Sequence, residues 1–278
     1  MPLVLCPLFN SSKYIPVMGR SNLRLRLTLA NTDRAFQTDF EIQNPTVTLS
    51  PVDFIGSFVR LSSQAMALVN QNTGGVYELI TSDMRCAEGT IANQDTVLNQ
   101  NLGFSFSSLD RIMFGMFNKY NGHEANSTGN RARYSISEYA LSINGEEFPR
   151  RRITSSDTNL SETVAEIALA TSSLADFTHQ TSITKAEFER ADPDGSTQTG
   201  KYVAFIDTEA MKPHTNDDVI YSGISTLGAT TQLVGNFSAP TTSQSTLLVF
   251  AQYTICLLYT SDAADDLLCV DLGGRRII

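Results

Sequence analysis

Leu23-Arg24-Leu25-Arg26-Leu27-Thr28-Leu29 alternates leucine with a polar residue without a break. Strand side chains point to opposite faces in turn, so this stretch reads as a strand with one buried face. Phe40-Glu41-Ile42-Gln43 and Val47-Thr48-Leu49 repeat the period on either side of Asn44-Pro45, a turn signal. Further short alternating segments fall at 76–81, 104–106, 111–117, 134–143, 202–207, 232–237 and 247–254. Asn144-Gly145 separates two of these runs and is the pair that a type I′ hairpin requires.

Two stretches break the rhythm. Phe54, Ile55, Phe58, Leu61, Ala65, Leu68 and Val69 recur at three and four residues, which predicts an amphipathic helix over 54–70 ended by Asn72-Thr73-Gly74-Gly75. Ser161-Glu-Thr-Val-Ala-Glu-Ile-Ala-Leu-Ala170 predicts a second helix, and 176–200 reads as a long polar loop. Many short strands and two isolated helices make an all-β sandwich or barrel. No fixed-period repeat is visible, which disfavours propellers and solenoids.

Apolar residues make up 41% of the 278 and charged residues 18%, enough to build a core. The net charge of −9 argues against strong nucleic-acid binding through diffuse basic charge. No run of 18 apolar residues is present, so no membrane span is expected. The apolar start, Met1 to Phe9, lacks a positive leader and a small-residue cleavage site, so no signal peptide is read. Cys6, Cys86, Cys256 and Cys269 show no metal-ligand spacing and are expected to be reduced thiols.

Chemical motifs fail on inspection. Gly195-Ser-Thr-Gln-Thr-Gly200-Lys201 approaches a phosphate-binding loop, but Tyr202 replaces the required hydroxyl and the sequence continues as strand instead of helix. Ser182-Ile-Thr-Lys185 has the serine–lysine spacing of some acyl-transfer enzymes without their companion motifs. Asp192-Pro-Asp-Gly195 lacks the remainder of a calcium loop, and His123, His179 and His214 stand apart. No catalytic, metal or cofactor site is therefore expected. Arg150-Arg151-Arg152, after Phe148-Pro149, is the densest basic cluster and the candidate contact to a neighbouring subunit or to nucleic acid.

From 257 onward the text Leu-Leu-Tyr-Thr-Ser-Asp-Ala-Ala-Asp-Asp-Leu-Leu-Cys-Val-Asp-Leu-Gly-Gly-Arg-Arg-Ile-Ile resembles a peptide produced by translating through sequencing-adapter DNA. Residues 257–278 are set apart from the fold on that ground, and a chain ending at Thr254 is expected to behave no worse. Their four aspartates and two arginines contribute −2 of the −9, so −7 remains and the acidic balance holds.

Three groups of segments together resemble the major capsid proteins of polinton-like viruses, virophages and related double-stranded DNA viruses. The first is Lys13-Tyr-Ile-Pro-Val-Met-Gly19 with 23–29, Asp33-Arg-Ala-Phe36 and Ile42-Gln-Asn-Pro45. The second is Ser108-Leu-Asp-Arg-Ile-Met-Phe-Gly-Met-Phe117 with 139–149. The third is Tyr221-Ser-Gly-Ile-Ser-Thr226 with 233–238 and 247–254. The resemblance implies a jelly-roll β-sandwich with one or two short helices, the later part of a double jelly roll. Residues 1–52 would be closing strands of a preceding jelly roll and 53–256 a second one, short of its last strand or strands. It also implies no enzyme and no cofactor. The partners it implies are a homotrimer, neighbouring capsomers and a minor capsid (penton) protein, in a virion shell assembled in the host cytoplasm or nucleus. The competing reading is a stand-alone binding sandwich holding a glycan or protein ligand on loop aromatics, Tyr120, Tyr134 and Tyr221 among them.

Overall fold

Along 231–237 every second residue is buried: Thr231, Leu233, Gly235 and Phe237 point inward, while Gln232, Val234 and Asn236 are only partly covered. That alternation is the signature of a strand with one face on a core. The computed structural model describes residues 59–118, 131, 133–156, 158–171, 202–210 and 222–260, with single positions at 15, 26, 28, 48, 50 and 53. Within these, helix α1 (Ser63–Thr73) leads into β1 (Val76–Ile91), β2 (Val97–Asn101), β3 (Leu109–Asn118), β4 (Ile136–Ile143) and β5 (Glu146–Thr154). Helix α2 (Ser161–Thr171) follows, then β6 (Ala204–Asp207), β7 (Thr231–Phe237) and β8 (Ser245–Thr260).

The strands form two four-stranded antiparallel sheets, ordered β1-β8-β3-β6 and β2-β7-β4-β5. The pairing is nested: β1 with β8, β2 with β7, β3 with β6, and β4 with β5. A four-strand run folded back on a second four-strand run and wrapped into two sheets is a jelly roll. The fold class read from the sequence is this one. The eight strands found among the described residues lie between Val76 and Thr260. The closing strand β8 runs four residues into the segment that begins at 257, pairing Leu257 with Leu79 and Thr260 with Val76.

The core lies between the sheets. Ile112, Phe114 and Met116 from β3 and Leu247, Val249 and Ala251 from β8 meet Tyr139 and Leu141 from β4 and Leu233 from β7. Phe114 and Tyr139 touch edge to face across the gap, ring centroids 5.0 Å apart at 83°. Side chains of this size each contribute about 1.5–3 kcal/mol on full burial. Asn144 (φ 52°) and Gly145 (φ 86°) both adopt the positive φ of a type I′ turn, which sets the β4–β5 hairpin as the dipeptide predicted.

Three local expectations shift. The first helix begins at Ser63, because Ser62 caps it by accepting the Ala65 N–H at 3.2 Å, and it ends at Gly74 with φ 63°. Serine favours a cap over a helix interior, since its hydroxyl competes for backbone donors. Residues 59–62 are therefore not helical, and α1 buries none of its residues. Second, 104–106 is not a paired strand although Phe104 and Phe106 are buried. Third, Val97–Asn101 is a strand that its polar composition concealed. The second helix matches its prediction within one residue.

The leucine-alternating stretch 23–29 falls outside the described residues except for Arg26 and Thr28, both exposed and neither in a strand. The 1–52 and 261–278 assignments also fall outside them, apart from the single positions named above. Among the described residues no helix is long and apolar enough to cross a membrane.

Candidate functional site

Arg150, Arg151 and Arg152 lie where β5 leaves its ladder. Tyr139 pairs with Ile153 and Leu141 with Phe148, so 149–152 stand opposite Ala140 alone. Proline cannot donate to a ladder, so Pro149 belongs at such an irregular edge position. The bulge exposes Arg150 and Arg151, and Arg152 is half-buried.

The cluster is largely neutralised within the chain. Arg152 donates to Glu147 at 2.6 and 2.9 Å and to Glu138 at 3.0 Å, and Glu138 also accepts from the Asn236 amide at 2.7 Å. Hydrogen bonds from Arg152 hold the Glu147 carboxyl below its ordinary value and raise the guanidinium in return. Arg151 pairs with Glu162 of α2, whose other oxygen accepts the Thr154 N–H at 2.8 Å. Among the described residues Arg150 makes no ion pair.

The sheet edges show a common design. An unpaired edge invites another chain to add to it. In one sheet, β6 has only four residues and packs under α2, where the Arg111 guanidinium donates to the Ala170 carbonyl at the helix end. In the other, β2 has five residues and β5 carries the bulge, Pro149 and the arginines. The remaining edge, β1, is sixteen residues long. Asp83 and Arg85 fall on the same alternation as the buried Leu79 and Ile91 but are exposed, which puts charge on that face of the edge strand. Asp83 also accepts the Met84 N–H at 2.8 Å and the Tyr253 hydroxyl at 3.0 Å. Each of the four edges thus carries a feature that hinders the addition of another strand.

A buried polar network ties α2 to the sandwich. Tyr202 and Ser155 share a hydrogen bond of 2.8 Å, Tyr139 donates to the Phe205 carbonyl at 3.2 Å, and Thr163 donates to the Thr154 carbonyl at 3.0 Å. Burial pushes both tyrosine hydroxyls well above their ordinary values, so they stay protonated. Arg133 is fully buried and donates to the carbonyls of Ile136 and Ser155 at 3.0 and 2.9 Å. These groups hold backbone in place; the sequence reading passed over them because single tyrosines and arginines carry no spacing signal.

Of the aromatics offered for a glycan, Tyr134 is 1% exposed and belongs to the core, so it cannot serve as a surface platform. It sits at the turn before β4 with φ 50°. Tyr120 and Tyr221 lie outside the described residues. So do the phosphate-loop-like 195–201 except for no more than its neighbour Tyr202, the 182–185 and 192–195 motifs, and the three histidines. Among the described residues, no three His, Cys, Asp or Glu side chains gather as metal ligands.

No family model and no curated protein matches the sequence. Solved structures do match. PBCV-1 VP54, fitted into a reconstruction of the virophage Sputnik, is 11% identical with a TM-score of 0.41, covering 72% of this chain and 53% of that one. The mavirus major capsid protein is 10% identical with a TM-score of 0.34, covering 69% and 42%. The major capsid protein P2 of bacteriophage PM2 is 10% identical with a TM-score of 0.30, covering 63% and 45%. The chain spans about half the length of these structures. It is similar to viral major capsid proteins, the kind of protein its sequence resembles.

Proposed function

We propose that this chain is a shell-building jelly roll of a viral major capsid protein and not an enzyme. The observation that carries the reading is the nested eight-strand pairing with every sheet edge blunted. A jelly roll gathers its loops at the barrel ends, which suits tiling through loops and faces without runaway strand addition. Fold alone hosts many functions, so the reading also leans on the segments that resemble capsid proteins.

In this reading the chain forms trimeric, pseudo-hexameric capsomers of an icosahedral shell, each subunit meeting the next heterologously in a closed ring. Residues 1–52 close a preceding jelly roll, and the described sandwich is the second of a tandem pair. The exposed Arg150 and Arg151 meet an acidic surface on a neighbouring subunit. Their glutamate partners and the acidic net charge disfavour a strong grip on the genome. A minor capsid protein fills the vertices, and assembly takes place in the host cytoplasm or nucleus.

Light scattering and negative-stain microscopy of the purified full chain test this. Trimers that associate into flat or curved arrays as concentration rises are expected. A monomer at every concentration, inert to salt and crowding, would overturn the shell role.

A further inference from the structure

The outer faces of the two sheets differ in character. On β2-β7-β4-β5 the outward residues are mostly polar: Asn101, Gln232, Ser142 and Glu147 form one row across the strands, and Val97, Asn236, Glu138 and Thr154 another. On β1-β8-β3-β6 an apolar row crosses all four strands, made of Cys86, Phe250, Met113 and Phe205. Leu248 and Phe117 adjoin it, and Met84 on β1 is 51% exposed. Their neighbours along the strands, Val249, Ala251, Phe114 and Met116, fill the core, so strand alternation turns this row outward. A contiguous apolar patch on a sheet face marks a contact surface.

One row further along, Gly115, Leu248 and Glu88 are in register on β3, β8 and β1. Gly115 faces outward yet is buried, because Arg131 lies over it: a Cβ there would sit 3.5 Å from the Arg131 Cδ and 3.4 Å from the Phe117 ring. A backbone bridge between Phe117 and Arg131 fixes the chain at this point. Arg131 is partly buried, its Nε is covered and without a hydrogen-bond partner, and no carboxylate of the described residues pairs with it. Burial lowers the guanidinium below its ordinary value, with no neighbouring charge in opposition. A partly desolvated cation without a counter-ion is costly, and it is the more unusual in a chain of net charge −9. Glu88 stands exposed at the other end of the same row, two strands away, and also lacks an ion-pair partner among the described residues.

We propose that this outer face docks on the same face of a second copy of the chain, about a two-fold axis running along β8, with Arg131 of each copy meeting Glu88 of the other. Such an axis sets β3 of one copy against β1 of the other at the same level along the strands. Leu248 and Phe250 then meet their own counterparts, Met113 meets Cys86, and the two unpaired charges are matched twice. The patch is complementary to itself in charge, which selects a second copy over an unrelated apolar partner. Sheets packed face to face lie about 10 Å apart, a gap that an arginine and a glutamate span between them. The contact goes beyond the ring proposed above, since it joins subunits in pairs and closes after two.

Sedimentation velocity of the full chain over a concentration series tests the contact, with Arg131→Glu, Glu88→Arg and an equal mixture of the two variants. Each variant alone sets like charges together and is expected to associate more weakly, on the order of tenfold. The mixture restores both pairs, since each chain offers the charge that the other lacks, and is expected to recover the dissociation constant of the unaltered protein. Association unchanged in either variant, a mixture no better than its components, or an unaltered chain that stays monomeric throughout overturns the proposal. Should Arg131→Glu fail to fold, Glu88→Arg decides by itself, because Glu88 is exposed and outside the core. Weaker association then supports the contact and unchanged association overturns it. Trimers indifferent to both variants would leave the shell-building reading standing and overturn this one.

Discussion

The hydroxyl of Thr231 bonds both ends of Phe104, accepting its N–H at 2.9 Å and donating to its carbonyl at 3.2 Å, across 127 residues of sequence. Thr226 does the same for Phe106, accepting the N–H at 2.8 Å, while its own N–H donates to the Phe106 carbonyl at 2.8 Å. The 104–106 segment thus satisfies its backbone through threonines and buries two phenylalanines without joining a ladder. Thr231→Val keeps the shape and strips both bonds, leaving a buried donor and acceptor. The expected loss is roughly 1–3 kcal/mol, read as a lower urea midpoint with an unchanged slope.

Gly235 lies against β4 so closely that a Cβ would sit 2.6 Å from the Glu138 carbonyl oxygen, a backbone atom that cannot swing aside. Gly235→Ala is expected to force β4 and β7 apart and cost about 1–3 kcal/mol. Thermal unfolding of the two proteins checks it; equal midpoints would mean the two strands flex more than their register implies.

Two carboxyls give stability opposite pH slopes. Glu147 is depressed by Arg152, so its contribution is present above the ordinary glutamate range and is lost as pH falls through the depressed value. Asp110 is raised by burial, so its contribution is present in acid and is lost as pH rises from the ordinary aspartate value through the raised one. Asp110→Asn is therefore expected to flatten the decline in melting temperature above mildly acidic pH, and Glu147→Gln to flatten the decline in acid. The Glu147 effect should be modest, since its pair is partly exposed, and should shrink in high salt.

Asp83 guards the longest sheet edge by occupying the Met84 N–H. Asp83→Val exposes that donor and adds a β-branched apolar residue to an edge strand. Concentration-dependent aggregation by light scattering is expected, with little change in secondary structure. A variant as soluble as the parent would show that the edge is protected by other means.

Removing 261–278 is expected to leave the melting temperature unchanged. Ending at Thr254 also removes residues 255–260 and leaves Val76 to Thr81 without a strand partner. Here the expected result differs from the sequence reading, with faster proteolysis around 76–81. Limited digestion of the two truncated chains separates the outcomes.

Alternation, turn chemistry and helix period were local properties, and the sequence alone determined them. The all-β class, the Asn144-Gly145 turn and the second helix follow from spacing that any strand or helix must obey. The pattern along 104–106 announced two buried phenylalanines but not that threonines over a hundred residues away would complete their backbone. The same limit hid the Arg152 pairs, the burial of Tyr134 and the inward turn of Asp110, each set by a bulge or turn and by neighbours from another strand. Periodicity says which face of an element is buried. Only the nested pairing of β1 with β8, β2 with β7 and β3 with β6 decides what that face meets, because those contacts join positions far apart in sequence, Phe114 with Ala204 and Val76 with Thr260 among them, that have no local relation.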